Sequence, residues 1–380
     1  MPYFDPRPKE RIEDLFDREE ELRKLIEAIG RGDPLILILG LRRTGKTSLL
    51  RVGLNELNYP SIVVDCRVFE GKTYVTYADF VKALEDSIDK VLPKIRRLTK
   101  FVRGIRGISV HGFKIEFSLK EKPTLISLLE ALNSYASSEN IRFIVAFDEA
   151  QELIKLRGIR VLPAIAYTYD SLRNITTILT GSQVGLLYRF LKLHDPSSPV
   201  YGRVRTEIRL ENLSREKALE FLEEGFRQYG IKPPKHIIEE AVEKLGGNIG
   251  WLTFFGALSV REGVSKQALE KTLEEGSKLV LSELMNFLKL RPIASVRYLR
   301  ILYAISLGAK TWSKIKSFLE IEEEGKISDS IFTKLLRNLL DAGFIVRRES
   351  EYEIADPVLK YAIVKYGKQL ISTMKVVTNF

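Results

Sequence analysis

The segment Gly40-Leu41-Arg42-Arg43-Thr44-Gly45-Lys46-Thr47 has the residue types and spacing needed to wrap a polyphosphate. Two glycines allow backbone angles that turn successive N–H groups inward. A helix starting at the end of such a loop adds its positive dipole end. Lys46 brings a point charge to the β- and γ-phosphates, and the Thr47 hydroxyl is a ligand for Mg²⁺. Gly40, Arg43, Thr44, Gly45, Lys46, Thr47 and Ser48 are therefore the candidate nucleotide-binding residues.

About a hundred residues later, Phe143-Ile144-Val145-Ala146-Phe147-Asp148-Glu149 places two acids after a continuous apolar run. Asp148 is the candidate metal partner of Thr47, acting through water, and Glu149 the group that orients and deprotonates an attacking water. This dipeptide is weak alone and gains its meaning from the complete phosphate loop before it. Two further segments bear on the same chemistry. Ile178 to Ser182 ends an apolar run in small polar groups, and Ser182 either bonds the γ-phosphate or its attacking water, or caps a following helix. Arg203 is an arginine able to meet transition-state charge, in cis or from a neighbouring subunit, or an ordinary surface residue.

These groups need strand ends to hold them. Leu35 to Leu39 is continuously apolar, as a strand covered on both faces requires. Further strands are expected at 61–65, 141–147, 175–180 and 204–210, separated by helices such as 47–57 and 77–92, which together predict a doubly wound parallel α/β sheet. Residues 9–30 show a helical stripe closed by Gly30, and 108–119 alternates like an antiparallel hairpin or an inserted edge strand. Three domains are expected: 1–210 as the sheet domain, 211–285 as a helical domain, and 286–380 as a winged helix. The helical domain has helices at 215–229 and 235–245 and another opening near Asn248. In the last domain, helices at 296–307, 311–319 and 328–342 precede a hairpin at 344–355.

In the third of those helices Ile331, Leu335, Leu336, Leu339 and Leu340 form the expected buried side, opposite Ser330, Thr333, Lys334, Arg337 and Asn338. Residues 291–348 hold eleven Lys or Arg against six Asp or Glu, and Lys334, Arg337, Arg347 and Arg348 are the candidates for contacting duplex DNA. A protein partner, self-association or an intramolecular role for this domain stays equally open, because the helix itself is electrically neutral. A second basic run, Lys90 to Arg106 with seven cations and no acid, is either a phosphate-binding surface or a solvated face with long side chains lying on apolar neighbours.

The chain has 380 residues, 45% hydrophobic and 29% charged, with a formal net charge of +10. That excludes global disorder and collagen-like repeats. One cysteine, Cys66, excludes an intrachain disulfide, and His111, His194 and His236 have no ligand spacing, so catalysis must rest on carboxylates, Lys, Arg and backbone amides. No apolar run approaches the ~20 residues of a membrane span, and the opening residues lack an apolar leader core, so the expectation is a cytoplasmic protein with no membrane partner.

In order along the chain, FDREEEL (16–22), GLRRTGKTSLL, FDEAQ, LTGS, PVYGR and GGNIGWL resemble the archaeal ATPase family, a branch of the STAND and AAA+-related P-loop NTPases. The likeness runs from about residue 10 to about residue 360. It implies an ATP-binding core, a helical lid and a C-terminal winged helix, with ATP and Mg²⁺ as cofactors. It also implies Arg18 and Glu19 near the adenine, Ser182 in the sensor-1 position, Arg203 as the sensing arginine, and Asn248 to Leu252 opening a lid helix that faces the nucleotide. Ile249 stands where related STAND proteins often carry proline, a departure that touches the adenine contact and not phosphate binding. The expected function is a slow, Mg²⁺-dependent ATPase working as a nucleotide-driven switch. The alternative is a DNA-binding transcription or replication factor regulated by ATP, and a small-molecule kinase is disfavoured for want of an acceptor site.

Overall fold

The computed structural model describes residues 1–378; residues 379 and 380, the end of the expected 286–380 span, lie outside it. Among the described residues nine strands occur: β1 (Leu35–Gly40), β2 (Ser61–Asp65), β3 (Ile108–His111), β4 (Lys114–Phe117), β5 (Phe143–Asp148), β6 (Ile175–Gly181), β7 (Thr206–Leu210), β8 (Ile345–Arg348) and β9 (Glu351–Ile354). The chain divides into two compact units, one of residues 8–40 and 45–210, the other of residues 1–7, 41–44 and 211–380.

The first unit is built on a five-stranded sheet in the order β2-β5-β6-β1-β7, with every pairing parallel. β1 is buried along its length because its side chains feed two apolar layers alternately. Leu35, Leu37 and Leu39 join the core that includes Phe143 and Leu179, whereas Ile36 and Ile38 join Leu22, Leu25, Leu49 and Leu50 from the helices at 19–31 and 46–57. Those two helices approach closely at Gly53, where an added Cβ would fall 2.6 Å from Leu25 Cδ2. Parallel strands put all their carboxyl ends on one edge, so Gly40, Asp148 and Gly181 finish together.

Several boundaries depart from expectation for local reasons. The stripe at 9–30 is a short 3-10 turn (Ile12–Asp14) followed by a helix (Glu19–Arg31), broken where Asp17 takes φ +53°; Gly32 in left-handed conformation, not Gly30, ends it. The alternating segment at 108–119 is a hairpin, β3 with β4, forming its own two-stranded sheet rather than an edge of the large one. Its outer edge is capped: the N–H groups of Ile115 and Phe117 donate to Asp89 and Glu85. In the basic run only Leu98–Val102 is helical, and its apolar residues Leu92, Leu98 and Val102 are buried.

In the second unit, helices Arg215–Arg227, Lys235–Leu245 and Ile249–Glu262 precede a long helix, Lys266–Lys289, which runs across position 285, where a domain boundary was expected. Helices Ser295–Ser306, Trp312–Glu323 and Asp329–Asp341 then lead into the antiparallel pair β8 and β9, the winged-helix order, and a final helix runs Pro357–Thr378. Within the Asp329–Asp341 helix the buried face is Phe332, Leu335, Leu336 and Leu339. Leu335, Leu336 and Leu339 are buried as expected, but Ile331 is 47% exposed and Leu340 only half-buried, and Phe332 completes the stripe in place of Ile331. The first residues of the chain belong to this unit: Phe4 is buried against Phe221 and Phe226, over Gly225 and Gly256, whose missing side chains make the room. Among the described residues no helix is long and apolar enough to cross a membrane.

Candidate nucleotide site

The loop after β1 has the geometry its sequence demands. Gly45 lies at φ +95° as the residue before the helix Lys46–Leu57, and a Cβ there would meet nothing within 4 Å, so backbone angle rather than space requires the glycine. Arg43 also takes a positive φ, +65°, uncommon for a residue other than glycine, Asn or Asp. Thr44 closes the turn by donating its hydroxyl to the Leu41 carbonyl at 2.9 Å. Lys46 is only 4% exposed at the helix start. The Ser48 hydroxyl, one residue after Thr47, accepts the backbone N–H of Lys9.

Four of the sequence candidates come together through hydrogen bonds at the ends of β5 and β6. The Thr47 hydroxyl donates to Asp148 Oδ2 at 2.9 Å, and Thr180 donates to Asp148 Oδ1 at 2.5 Å. Thr180 also accepts the Glu149 N–H at 3.0 Å, which fixes the turn where Glu149 adopts φ +55°. The Glu149 carboxylate receives the Ser182 hydroxyl (2.5 Å), the Ser182 N–H (3.2 Å) and the Gln151 side-chain amide (2.6 Å) on the same oxygen, Oε2. Ser182 therefore serves Glu149 rather than capping a helix; the following helix Val184–Leu191 begins with no side-chain cap. Thr180 and Gln151 lie inside the LTGS and FDEAQ segments, but nothing in their spacing showed that they would brace the two acids.

Asp148 is 2% exposed, and burial pushes its carboxyl above the ordinary range, with the nearby Glu149 charge adding to the effect and the Thr180 and Thr47 hydroxyls opposing it. A desolvated carboxylate beside a hydroxyl and a second carboxylate is a set of hard oxygen donors short of positive charge, which suits Mg²⁺. Among the described residues no group of three or more His, Cys, Asp or Glu could hold a metal ion alone. An ion held at Thr47 and Asp148 would thus take its other ligands from phosphate and water, the usual habit of Mg²⁺.

Two candidates are placed apart from this cluster. The Arg203 guanidinium pairs with Asp170 (2.6 and 3.2 Å), donates to the Pro199 carbonyl and lies over the Tyr169 ring, so these bonds go to the helix Val161–Ser171 and to its own loop and not to the Asp148–Glu149 group. Arg18 is buried, donating to the Asp17 carbonyl at 3.0 Å with Glu21 at 3.6 Å.

Arg42 and Arg43 are held within the second unit. The Arg43 guanidinium donates to Glu283 at 2.7 Å, lies 4.4 Å over the Trp251 ring and has Asp356 at 3.8 Å. Arg42 pairs with the same Glu283 at 3.2 Å. The backbone is tied as well, since Asn248 Nδ2 donates to the Arg42 carbonyl and the Gly250 N–H to the Arg43 carbonyl. These contacts explain the GGNIGWL segment. A Cβ on Gly247 would lie 1.8 Å from the Leu213 carbonyl oxygen and one on Gly250 2.5 Å from Arg43 Cβ, while Asn248 caps the helix through the Trp251 N–H.

On the winged helix, Lys334, Arg337, Arg347 and Arg348 are exposed. Lys316 neutralises Asp329, while Thr333 and Asn338 are engaged by Trp312 and Tyr298, so fewer residues of the exposed face are free than the sequence implied. All seven cations of the basic run are exposed; Arg97 and Arg106 pair with Glu139 and Glu121, and Arg96 covers Phe113.

A family model described as an ATPase domain predominantly from Archaea matches residues 15–254. The chain belongs to that archaeal ATPase family. A second model, the C-terminal winged helix-turn-helix domain of MCM proteins, matches residues 292–355 of this chain. A Walker-type ATPase of Pyrococcus abyssi is similar at 40% identity over 95% of this chain and 99% of its own, with a TM-score of 0.81. The Orc2 protein of Aeropyrum pernix, in ADPNP–ADP complexes, shares the fold at 14% identity, 98% coverage of each chain and a TM-score of 0.61. A comparison with curated proteins gives no match. The fold is thus a P-loop NTPase sheet with a C-terminal winged helix, and nucleotide binding goes with the ATPase family to which the chain belongs.

Proposed function

We propose that this protein is a Mg²⁺-dependent ATPase that works as a nucleotide-driven switch with its winged helix as the responding part. The observation that carries the reading is the Thr47–Asp148 hydrogen bond beside the phosphate loop, with Glu149 braced next to it. In this reading, loop amides and the Lys46 ammonium bind the phosphate oxygens, and Thr47 and Asp148 hold the metal. Mg²⁺ supplies neutralisation of phosphate charge at those residues. Ser182 and Gln151, both donating to Glu149 Oε2, orient that carboxylate to accept the proton of the attacking water. Arg18 is assigned to the adenine end. Arg203 is assigned to the charge that develops on the transferred phosphoryl group, in cis or from a neighbouring copy, and must first exchange Asp170 for phosphate. The test is ATP turnover with and without Mg²⁺ in the wild type, Lys46→Ala and Glu149→Gln. Metal-independent turnover, or full activity in both variants, refutes the assignment.

A second reading, a DNA-binding factor regulated by ATP, is favoured by the match of residues 292–355 to the MCM winged helix and by the exposed Lys334, Arg337, Arg347 and Arg348. Duplex binding that weakens steeply with salt separates it from a winged helix directed at protein.

A further inference from the structure

Arg43 occupies a variable position of the phosphate loop, where neither the metal nor the catalytic carboxylate needs a particular side chain. Yet it takes a positive φ and is surrounded by Glu283, Asp356 and Trp251, all residues of the second unit, to which Leu41–Thr44 themselves belong. Its Nη1 is buried and has no hydrogen-bond partner, with Asp356 Oδ2 just out of range at 3.8 Å. A buried guanidinium nitrogen whose N–H groups make no hydrogen bond is costly, and the ion pair with Asp356 is what offsets that cost.

Asp356 is the other half of the arrangement. It stands two residues after β9, the second strand of the wing, and opens the helix Pro357–Thr378 by accepting the N–H groups of Val358 (2.8 Å) and Leu359 (3.2 Å). Both its oxygens also accept the Trp251 indole N–H at 3.0 Å. One carboxylate therefore ties together the wing, the final helix, the GGNIGWL helix and the loop arginine. Burial raises its carboxyl above the usual range, with the Trp251 bond and the Arg43 charge working the other way.

We propose that Arg43 is a positioning residue that reports occupancy of the phosphate loop to the winged helix, its guanidinium being shared between nucleotide phosphate and the Glu283–Asp356 pair. The inference rests on the nucleotide-binding reading above. Phosphate oxygens arriving at the loop compete for the same cation, and what they win is lost at Asp356. ATP can shift the wing only by this difference in binding, and by reciprocity any weakening of the acidic pair must tighten ATP.

The experiment pairs ATP affinity, by calorimetry with MgATP, with hydrogen exchange of residues 344–362, in the full-length wild type, Asp356→Asn and Glu283→Gln. Asparagine keeps an oxygen for the helix cap and the indole, and Glu283 is partly exposed, so neither variant depends on the other to fold. The expected result is slower or faster exchange of 344–362 on adding ATP to the wild type, a several-fold tighter ATP affinity in each variant, and loss of the exchange response in both. Unchanged or weaker affinity with the response retained overturns the proposal, as does a wild type that binds ATP with no change at 344–362. A wild type that binds no ATP removes the parent reading and this one together.

Discussion

At the scale of single residues the site separates binding from turnover. In the proposed reading Lys46→Ala removes the ammonium assigned to the phosphate oxygens, and it is expected to abolish ATP binding in calorimetry. Glu149→Gln keeps an acceptor oxygen for Ser182 and loses the carboxylate proposed as the base, so ATP binding is expected to persist while turnover falls by about 10²- to 10⁴-fold. Asp148 offers a different prediction. Because burial raises its carboxyl, the ionised form costs stability in the nucleotide-free protein. That cost is complete above the raised value and disappears as pH falls toward the ordinary carboxylate range, where the unfolded chain titrates. Asp148→Asn should therefore raise the unliganded unfolding free energy at neutral pH by about 1 kcal/mol while abolishing Mg²⁺-dependent turnover, measured by chemical denaturation and phosphate release. A loss of stability instead would mean that the Thr47 and Thr180 bonds outweigh desolvation.

At the scale of elements, the turn Gly246–Asn248 and the helix it opens hold the loop's backbone in place. Asn248 does two things, capping through Oδ1 and donating to the Arg42 carbonyl through Nδ2. Asn248→Asp keeps the first and loses the second; Asn248→Ala loses both. Denaturation should show a loss of about 1 kcal/mol for Ala and less for Asp, with ATP affinity weakened in both. Gly250→Ala forces a methyl to within 2.5 Å of Arg43 Cβ and should weaken ATP binding more than either. The phosphate loop, β1, β2 and the helix 235–245 were legible in sequence because their signals are local: a fixed spacing, an unbroken apolar run, a proline before and a glycine after. The helices 266–289 and 357–378 were not, since both lack a strong single-faced stripe and are fixed by packing on one another. Ile331 was misread for a related reason: Ile331 and Phe332 both continue the stripe of Leu335, Leu336 and Leu339 at helical spacing, and only the packing puts Phe332 in the core.

At the scale of the whole molecule, the fold followed from the alternation of strands and helices, and the winged helix from the order of its elements, but which long-range partners would meet could not be read. Thr47 with Asp148 was expected because that chemistry recurs; Arg43 with Glu283 is separated by 240 residues and has no sequence signature. The charge distribution carries one test at this scale. If the winged helix binds duplex DNA, Lys334→Ala combined with Arg337→Ala should weaken binding and reduce the salt slope by about 1 to 2, read by fluorescence anisotropy over a range of salt. An unchanged slope would assign that surface to another partner.

Phe4 packs into an aromatic nest made by residues more than two hundred positions later. As the chain leaves the ribosome, the sheet unit has all its segments once residue 210 emerges, whereas the unit that owns the opening tyrosine and phenylalanine must wait for the carboxyl end. Cutting at residue 210 would therefore not yield two self-sufficient pieces: the downstream fragment would carry an uncovered hole lined by Phe221, Phe226, Gly225 and Gly256, and a peptide of the first seven residues should bind back into it.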